Sequence, residues 1–329
     1  MTTLDRKLGL LLGTAIGDAL GLPYEGLSRA AVRRQLTAER CRYRLLGKTG
    51  FVSDDTQLTV ATAEAMLTGR GDVDQTVRAF RRRLLAWLAT LPWGIGGATL
   101  RACVLVALGV RRSGRRSAGN GAAMRSAVVG AWSAGDGVAR ERLTRALAEV
   151  THTDLRAVDG AAFVAEVAAL AVAAPTDADR EALVRRALEV VRDAELRKAI
   201  EAALAAGDDD VPSTGFVVHT LQAVVHVFVR AGADPLPSVV RCIRLGGDTD
   251  STAAILGAWL GALHGAGAWP GELIARLQGG PNGREHLVRL AKALAEGGAP
   301  PRASIAVSLA RNLAMFPVVL AHVFRRLAW

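Results

Sequence analysis

Twice in this chain a pair of acids opens an apolar helix, and the two openings lie about two hundred residues apart. The first is Ser53-Asp54-Asp55-Thr56, which follows the glycine segment Gly47 to Gly50 and precedes a helical run from Gln57 to Leu67. The second is Arg244-Leu245-Gly246-Gly247-Asp248-Thr249-Asp250-Ser251-Thr252. After it, Ile255, Leu256, Trp259, Leu260 and Leu263 recur at helical spacing, while Gly257, Ala258, Gly261 and Ala262 are small enough to admit a close neighbour. An Asp or Ser at a helix start is an ordinary N-cap. One cap needs only one acid, however, and no Lys stands beside Asp248 and Asp250 to offset their repulsion, so a bound cation is the natural compensation. Four carboxylates with the hydroxyls of Ser53 and Ser251 form an all-oxygen donor set, which suits a hard ion such as magnesium or manganese and argues against zinc. Gly246 and Gly247 would let the backbone turn sharply beneath such an ion.

The surroundings of these acids are predicted to be helical throughout. Ala, Leu, Val and Arg dominate, only 5% of residues are aromatic, and β-branched alternating runs are few, so the expected fold class is all-α. With 329 residues, 50% of them hydrophobic and 22% charged, a soluble globular chain can bury a large core in one domain or two. The formal charge of +10 admits a polyanionic partner, a phosphate-bearing substrate, or Arg used on the surface for solubility. Arg is spread over many helices (Arg81 to Arg83; Arg111, Arg112, Arg115 and Arg116; Arg185 and Arg186) without interleaved aromatics, so surface use is expected and nucleic acid is not. Cys41, Cys103 and Cys242 are odd in number and unpaired in spacing, which fits a reducing, cytoplasmic compartment and offers no zinc site.

Taken in order, Leu8, Leu11, Leu12, Ala15, Ile16 and Ala19 form a helical stripe that Asp18 interrupts, and no small-residue cleavage site follows, so a signal peptide is not expected. Asp18 itself reads as packing, whereas Glu25 is the more interesting acid. Val73 to Leu91 is an amphipathic helix, and Trp93-Gly94-Ile95-Gly96-Gly97 is a turn feeding a helix from Thr99 to Val110, with neither the Rossmann nor the P-loop spacing. The turn at Gly119-Asn120-Gly121 is either hairpin-like or a set of exposed amides able to hold a phosphate or a hydroxyl. His152 begins a helix running to about Val172, where a cap or core role is the ordinary one. Asp208-Asp209-Asp210 reads as solvated charge, and Gly215 to Thr220 opens an apolar helix reaching about Val229. From Pro300 to Trp329, Ile305, Leu309, Leu313, Phe316, Val319, Val323 and Leu327 form a stripe ending in Arg325-Arg326. Its longest uncharged run, Asn312 to Phe324, contains Pro317 and is short of the roughly 20 residues a crossing takes, so a helix docked on the domain is expected, with an interfacial membrane helix or a dimer contact as the sharper alternatives.

Gly17-Asp18-Ala19-Leu20-Gly21 with Glu25, Ser53-Asp54-Asp55-Thr56, Gly119-Asn120-Gly121 before Met124-Arg125, His152, and Gly246-Gly247-Asp248-Thr249-Asp250 resemble, in this order, the motifs of the ADP-ribosylglycohydrolase family. The resemblance spans roughly residues 5 to 290. It implies a compact, orthogonal multi-helix bundle over 1–295, with 296–329 as a C-terminal helical extension. It also implies two magnesium or manganese ions held by Ser53, Asp54 and Asp55 from one side and by Asp248, Asp250 and Ser251 from the other. On the same analogy Asp55 orients the attacking water, Glu25 is a mobile acid gating entry, and Gly119, Asn120, Gly121, His152 and Phe216 line the substrate. Ser stands at 53 and 251 where the family commonly has Thr, and Phe216 where Tyr is frequent. The implied activity is release of ADP-ribose from a modified protein side chain (Arg or Ser) or small molecule; the alternative is a non-catalytic ADP-ribose binder or structural relative of the lens-crystallin kind.

Overall fold

The computed structural model of the chain describes residues 2–36, 41–207 and 209–327, with side chains up to His322. The helices follow one another as α1 (Thr3–Gly21), α2 (Arg29–Gln35), α3 (Asp54–Gly69), α4 (Val73–Leu88), α5 (Gly97–Ala107), α6 (Ala127–Trp132), α7 (Gly137–Glu149) and α8 (Leu155–Ala173). They continue as α9 (Arg180–Ala187), α10 (Ala194–Ala205), α11 (Val217–Phe228), α12 (Pro235–Ile243), α13 (Thr249–His264), α14 (Gly271–Arg276), α15 (Arg284–Glu296) and α16 (Ile305–Leu327). Among the described residues there is no strand, only isolated bridges such as Arg115 to His152 and Gly119 to Phe216. The all-α expectation holds.

The centre of the fold is a pair of antiparallel helices, α1 and α13, drawn together by glycine. A Cβ at Gly9, Gly13 or Gly17 would lie 2.1–2.3 Å from a backbone oxygen of α13, at Gly261, Gly257 and Ala253 in turn, and Gly257 and Gly261 meet α1 in the same way. Backbone therefore touches backbone along three turns, which no residue with a side chain at these positions could match. Helix α13 is buried on every side from Thr249 to Leu263. Its Trp259 packs edge-on against Phe163 of α8 and Phe228 of α11 and donates its indole N–H to the Val164 carbonyl at 3.1 Å. Helix α1 is likewise a core helix, buried from Arg6 to Gly21 apart from the half-buried Leu8, so its apolar stripe is part of the core. The consecutive glycines Gly246 and Gly247 take φ of +76° and +74°, as the expected sharp turn requires; a Cβ on Gly247 would fall 1.7 Å from the Ser213 oxygen.

Predicted and observed helices agree to within a few residues, with α5 starting at Gly97 and ending at Ala107, short of Val110. The three cysteines are free. Asp208 lies outside the described residues, but its neighbours are paired and not merely solvated: Asp209 meets Arg241 at 2.7 Å and Asp210 meets Arg29 at 2.8 Å.

Helix α16 docks by an unexpected face. Ser308, Asn312 and Met315 are buried, and the Asn312 amide donates to the carbonyl and hydroxyl of Thr90 at 2.9 and 3.2 Å. Arg311 donates to the Pro281 carbonyl at 3.0 Å, and His322 lies 2.9 Å from the Pro23 carbonyl. The expected stripe instead leaves Leu313 and Phe316 55% exposed, with Leu309 half-buried and Ile305 exposed. Polar atoms cut off from water must find partners, and Asn312 finds them on the domain, which turns the apolar residues outward. The side chains of Val323 and Leu327 lie outside the described set. The expectation that this segment is too short to cross a membrane is corrected: Ile305 to His322, an 18-residue stretch of mean hydropathy 1.5 that tolerates Arg311 within it, is the one described stretch long and apolar enough to do so.

Candidate active site

Six helix starts in this protein are capped by an Asp, and the two acidic helix starts are not among them. At α4, α7, α8, α9, α10 and α12 an Asp just before the helix (Asp72, Asp136, Asp154, Asp179, Asp193, Asp234) accepts an N–H of the first turn. Asp248 occupies the same position before α13 but makes no such bond; its Oδ2 accepts the Asn120 amide at 2.7 Å. At α3 the capping atom is Ser53 Oγ, which accepts the Asp55 N–H at 3.2 Å, so neither Asp54 nor Asp55 is used as the cap. Helix capping therefore does not account for Asp54, Asp55 or Asp248.

A residue the sequence reading set aside holds the first of these turns in place. Asp18, fully buried in α1, accepts the Ser53 N–H at 3.0 Å, the Thr56 N–H at 3.1 Å and the Thr56 hydroxyl at 2.5 Å. Burial pushes its carboxyl up to about 6, against the hydrogen bonds from Thr56 and Ser53, which favour the charged form. Asp18 thus fixes how α3 presents Asp54 and Asp55. The available signal was an acid inside an otherwise apolar, glycine-rich helix.

The two helix starts face one cavity of about 250 Å³, whose walls include Glu25, Asp54, Asp55, Asp248, Asp250 and Ser251. Gly119, Asn120, Gly121 and His152 line the same space, and so do Gly94 and Gly96 to Thr99, the turn before α5 that sequence pattern left without a role. Two predicted site residues are not on its wall. Ser53 is buried beneath Asp55, donating to its Oδ2 at 3.2 Å. Phe216 turns away, its ring meeting His219 edge-on at 5.0 Å and the Arg156 guanidinium at 5.3 Å, while its backbone bridges Gly119. Glu25 sits in a loop whose backbone is pinned to the second acidic turn: the Gly26 N–H donates to the Gly247 carbonyl at 2.7 Å, and the Gly247 N–H to the Leu27 carbonyl at 2.9 Å.

The charge in this cavity is one-sided. Among the described residues, no Lys or Arg side chain lines it. Burial, and then the neighbouring carboxylates, hold Asp54, Asp55 and Asp250 well above the usual carboxylate range. Asp55 Oδ2 accepts both the Ser53 and the Ser251 hydroxyls at 3.2 Å, whereas its Oδ1 is buried with no hydrogen-bond partner. The acids ring the cavity without closing up: among the described residues no three Asp, Glu, His or Cys side chains form a ready metal-binding group. The donor chemistry nevertheless fits a hard divalent cation, because the acidic residues of the wall offer only carboxylate and hydroxyl oxygens and one of them lacks any partner.

Opposite the acids, His152 is kept neutral. Burial, and then the nearby charge of Arg125, bring its imidazole down to about 3. Arg125 is itself buried without a carboxylate, donating to the Leu147 carbonyl at 3.2 Å and the Thr151 hydroxyl at 2.8 Å, with the Phe80 ring 4.7 Å away. Beside the same cavity α5 starts at Gly96 with no side-chain cap, so its first N–H groups have no side-chain partner there.

The sequence profile of the ADP-ribosylglycohydrolase family matches residues 1–303. The chain is 25% identical to the ADP-ribosyl-[dinitrogen reductase] glycohydrolase of Rhodospirillum rubrum, covering 83% of this chain and 90% of that protein. It is 26% identical to the ADP-ribosylarginine hydrolase Tri1 of Pseudomonas putida, over 88% of this chain and 78% of the relative. A solved structure of an ADP-ribosylglycohydrolase-related protein complex superposes with a TM-score of 0.73 at 29% identity, covering 90% of this chain and 98% of the other. With the profile spanning all but the last helix, the chain belongs to the ADP-ribosylglycohydrolase family, hydrolases that act on ADP-ribosylated acceptors.

Proposed function

We propose that the protein hydrolyses the glycosidic bond between the distal ribose of ADP-ribose and a protein side chain, with two divalent cations of the magnesium or manganese kind held at the acidic end of the cavity. The observation that carries this reading is that Asp54, Asp55, Asp248, Asp250 and Glu25, brought from three separate segments, face one space that, among the described residues, no Lys or Arg side chain lines. Asp54, Asp55, Asp248 and Asp250 would hold the ions with the Ser251 hydroxyl, and Ser53 would act from behind by fixing Asp55. Bound there, such ions would supply Lewis-acid polarisation and lower the pKa of nearby water.

The chain's own groups account for the remaining work. Asp55, with one oxygen fixed by two hydroxyls and the other without a partner, is suited to orient water and take its proton. Asn120 holds the Asp248 carboxylate in one orientation through its amide. The uncapped start of α5 and the Gly119 to Gly121 turn offer N–H groups to the diphosphate. Glu25 would gate by swinging its side chain, since the backbone beside it is tied to Gly247. At about 250 Å³ the space falls below the roughly 300 Å³ at the lower end for drug-sized ligands, which suits a ribose and its ions, with the adenosine outside.

The Pseudomonas relative's name makes an Arg-linked acceptor the first to try. Release of ADP-ribose from Arg-linked and Ser-linked peptides is measured with magnesium present. Asp54→Asn and Asp248→Asn are each expected to abolish release while far-UV circular dichroism stays native, and turnover surviving in both refutes the assignment.

A further inference from the structure

The family profile stops at residue 303, and α16 begins at Ile305. This helix presents its surfaces in the reverse of the usual order for a globular protein. Ser308, Asn312 and Met315 face the domain, and Arg311 bonds to the Pro281 carbonyl. Ile305, Leu309, Leu313, Phe316 and Leu320 form one stripe on the side turned to solvent, where Leu313 and Phe316 keep more than half their surface. Leu91 follows Thr90, the residue that anchors Asn312, and is also exposed. An apolar stripe of this length, presented on a helix, marks a surface that something covers.

Charge decides between the occupants. From Arg302 to Trp329 the ionised side chains are all Arg (302, 311, 325 and 326) with no Asp or Glu among them, and the whole chain carries +10. A second copy brought up to this face would set like charge against like, whereas an anionic lipid surface supplies the opposite sign. The helix is long enough to cross a bilayer, but crossing would strip the Asn312 and Arg311 hydrogen bonds and carry a guanidinium into hydrocarbon. Lying flat keeps both and immerses only the outer stripe.

We propose that α16 is an interfacial membrane-binding helix, which holds the protein on anionic phospholipid through Leu309, Leu313, Phe316 and Leu320 with the basic end of the chain. The test is co-sedimentation of the full-length protein with vesicles of phosphatidylcholine alone and of phosphatidylcholine mixed with phosphatidylglycerol. The comparison is Leu313→Gln/Phe316→Gln, whose side chains are already half in water, so thermal unfolding should not change. Binding to the mixed vesicles, weakened by salt and at least about tenfold weaker in the double variant, is the expected result. No binding, binding undiminished in the variant, or equal binding to phosphatidylcholine alone overturns it. So does a stable dimer in analytical ultracentrifugation that the double variant dissociates without any vesicle binding, which would assign the face to a second copy.

Discussion

Replacing Gly17 with Ala tests whether the site is held together by the contact of α1 with α13. The added Cβ would sit 2.1 Å from the Ala253 carbonyl oxygen, roughly 1.2 Å inside the ~3.3 Å at which carbon and oxygen ordinarily meet. Neither partner is a flexible side chain, so the two helices must separate. Two effects compete. Alanine in a helix interior is better than glycine by about 1 kcal/mol, while overpacking typically costs 1–3 kcal/mol, and moving two buried helices belongs at the upper end of that range. The net loss is about 2 kcal/mol. For 329 residues the unfolding entropy is about 0.7 kcal/mol per degree, so the melting temperature should fall by only about 3 °C. Activity should suffer more, because a displacement near 1 Å between Asp18, with the α3 start it holds, and the α13 start can cost about a hundredfold in rate. Gly9→Ala, whose Cβ would meet the Gly261 oxygen at 2.3 Å at the far end of the seam, should lose similar stability with a smaller loss of turnover. Gly271→Ala, with open space around its Cβ, is the control and should lose neither. Differential scanning calorimetry with ADP-ribose release on the same samples reads both quantities. A Gly17→Ala protein that melts at or above the parent temperature with full turnover refutes the reasoning.

Asp18→Asn sets an amide where two backbone N–H groups and a hydroxyl need an acceptor, and should lower stability by about 2–3 kcal/mol in urea unfolding and reduce turnover as well. His152, held down to about 3 when folded, stays neutral while an unfolded His takes up a proton below about 6.5. Its contribution is therefore complete above about pH 6.5 and is lost as pH falls, by up to about 1.4 kcal/mol per unit, so His152→Gln should show a shallower acid limb than the parent. Arg125→Met removes the second cause of that shift and should raise the His152 pKa, read by NMR titration. Magnesium must displace protons from carboxyls held above their usual range, so its affinity, followed by thermal shift, should tighten as pH rises from about 5 to 8.

What could be read in the sequence was whatever acts locally. Helical spacing of Ile255, Leu256, Trp259, Leu260 and Leu263 gave α13 and its burial, because apolar periodicity and core position have one physical cause. The acids at 54, 55, 248 and 250 could be picked out because there were more of them than capping requires. Asp18 was passed over since its partners, Ser53 and Thr56, lie more than thirty positions away, and a buried acid shows its purpose only beside its donors. The resemblance puts Phe216 on the substrate side, but its ring meets His219 and Arg156, contacts that lie three or more residues away and that no local pattern announces. For α16 periodicity identified a stripe without saying which way it faced, because the direction is set by Asn312 and Thr90, which lie 222 positions apart.

The seam between α1 and α13 also sets a timetable. Its partners are separated by about 230 to 250 residues, and Asp18 must wait for Ser53 on one side while α13 closes the other. During synthesis the first helix leaves the ribosome long before its companion exists, with its apolar flank exposed for most of translation. Closure over so long an intervening loop is slow. A nascent chain halted before about residue 265 should therefore be a substrate for chaperones and proteases, and hydrolytic competence should arrive abruptly, once the thirteenth helix is free of the exit tunnel.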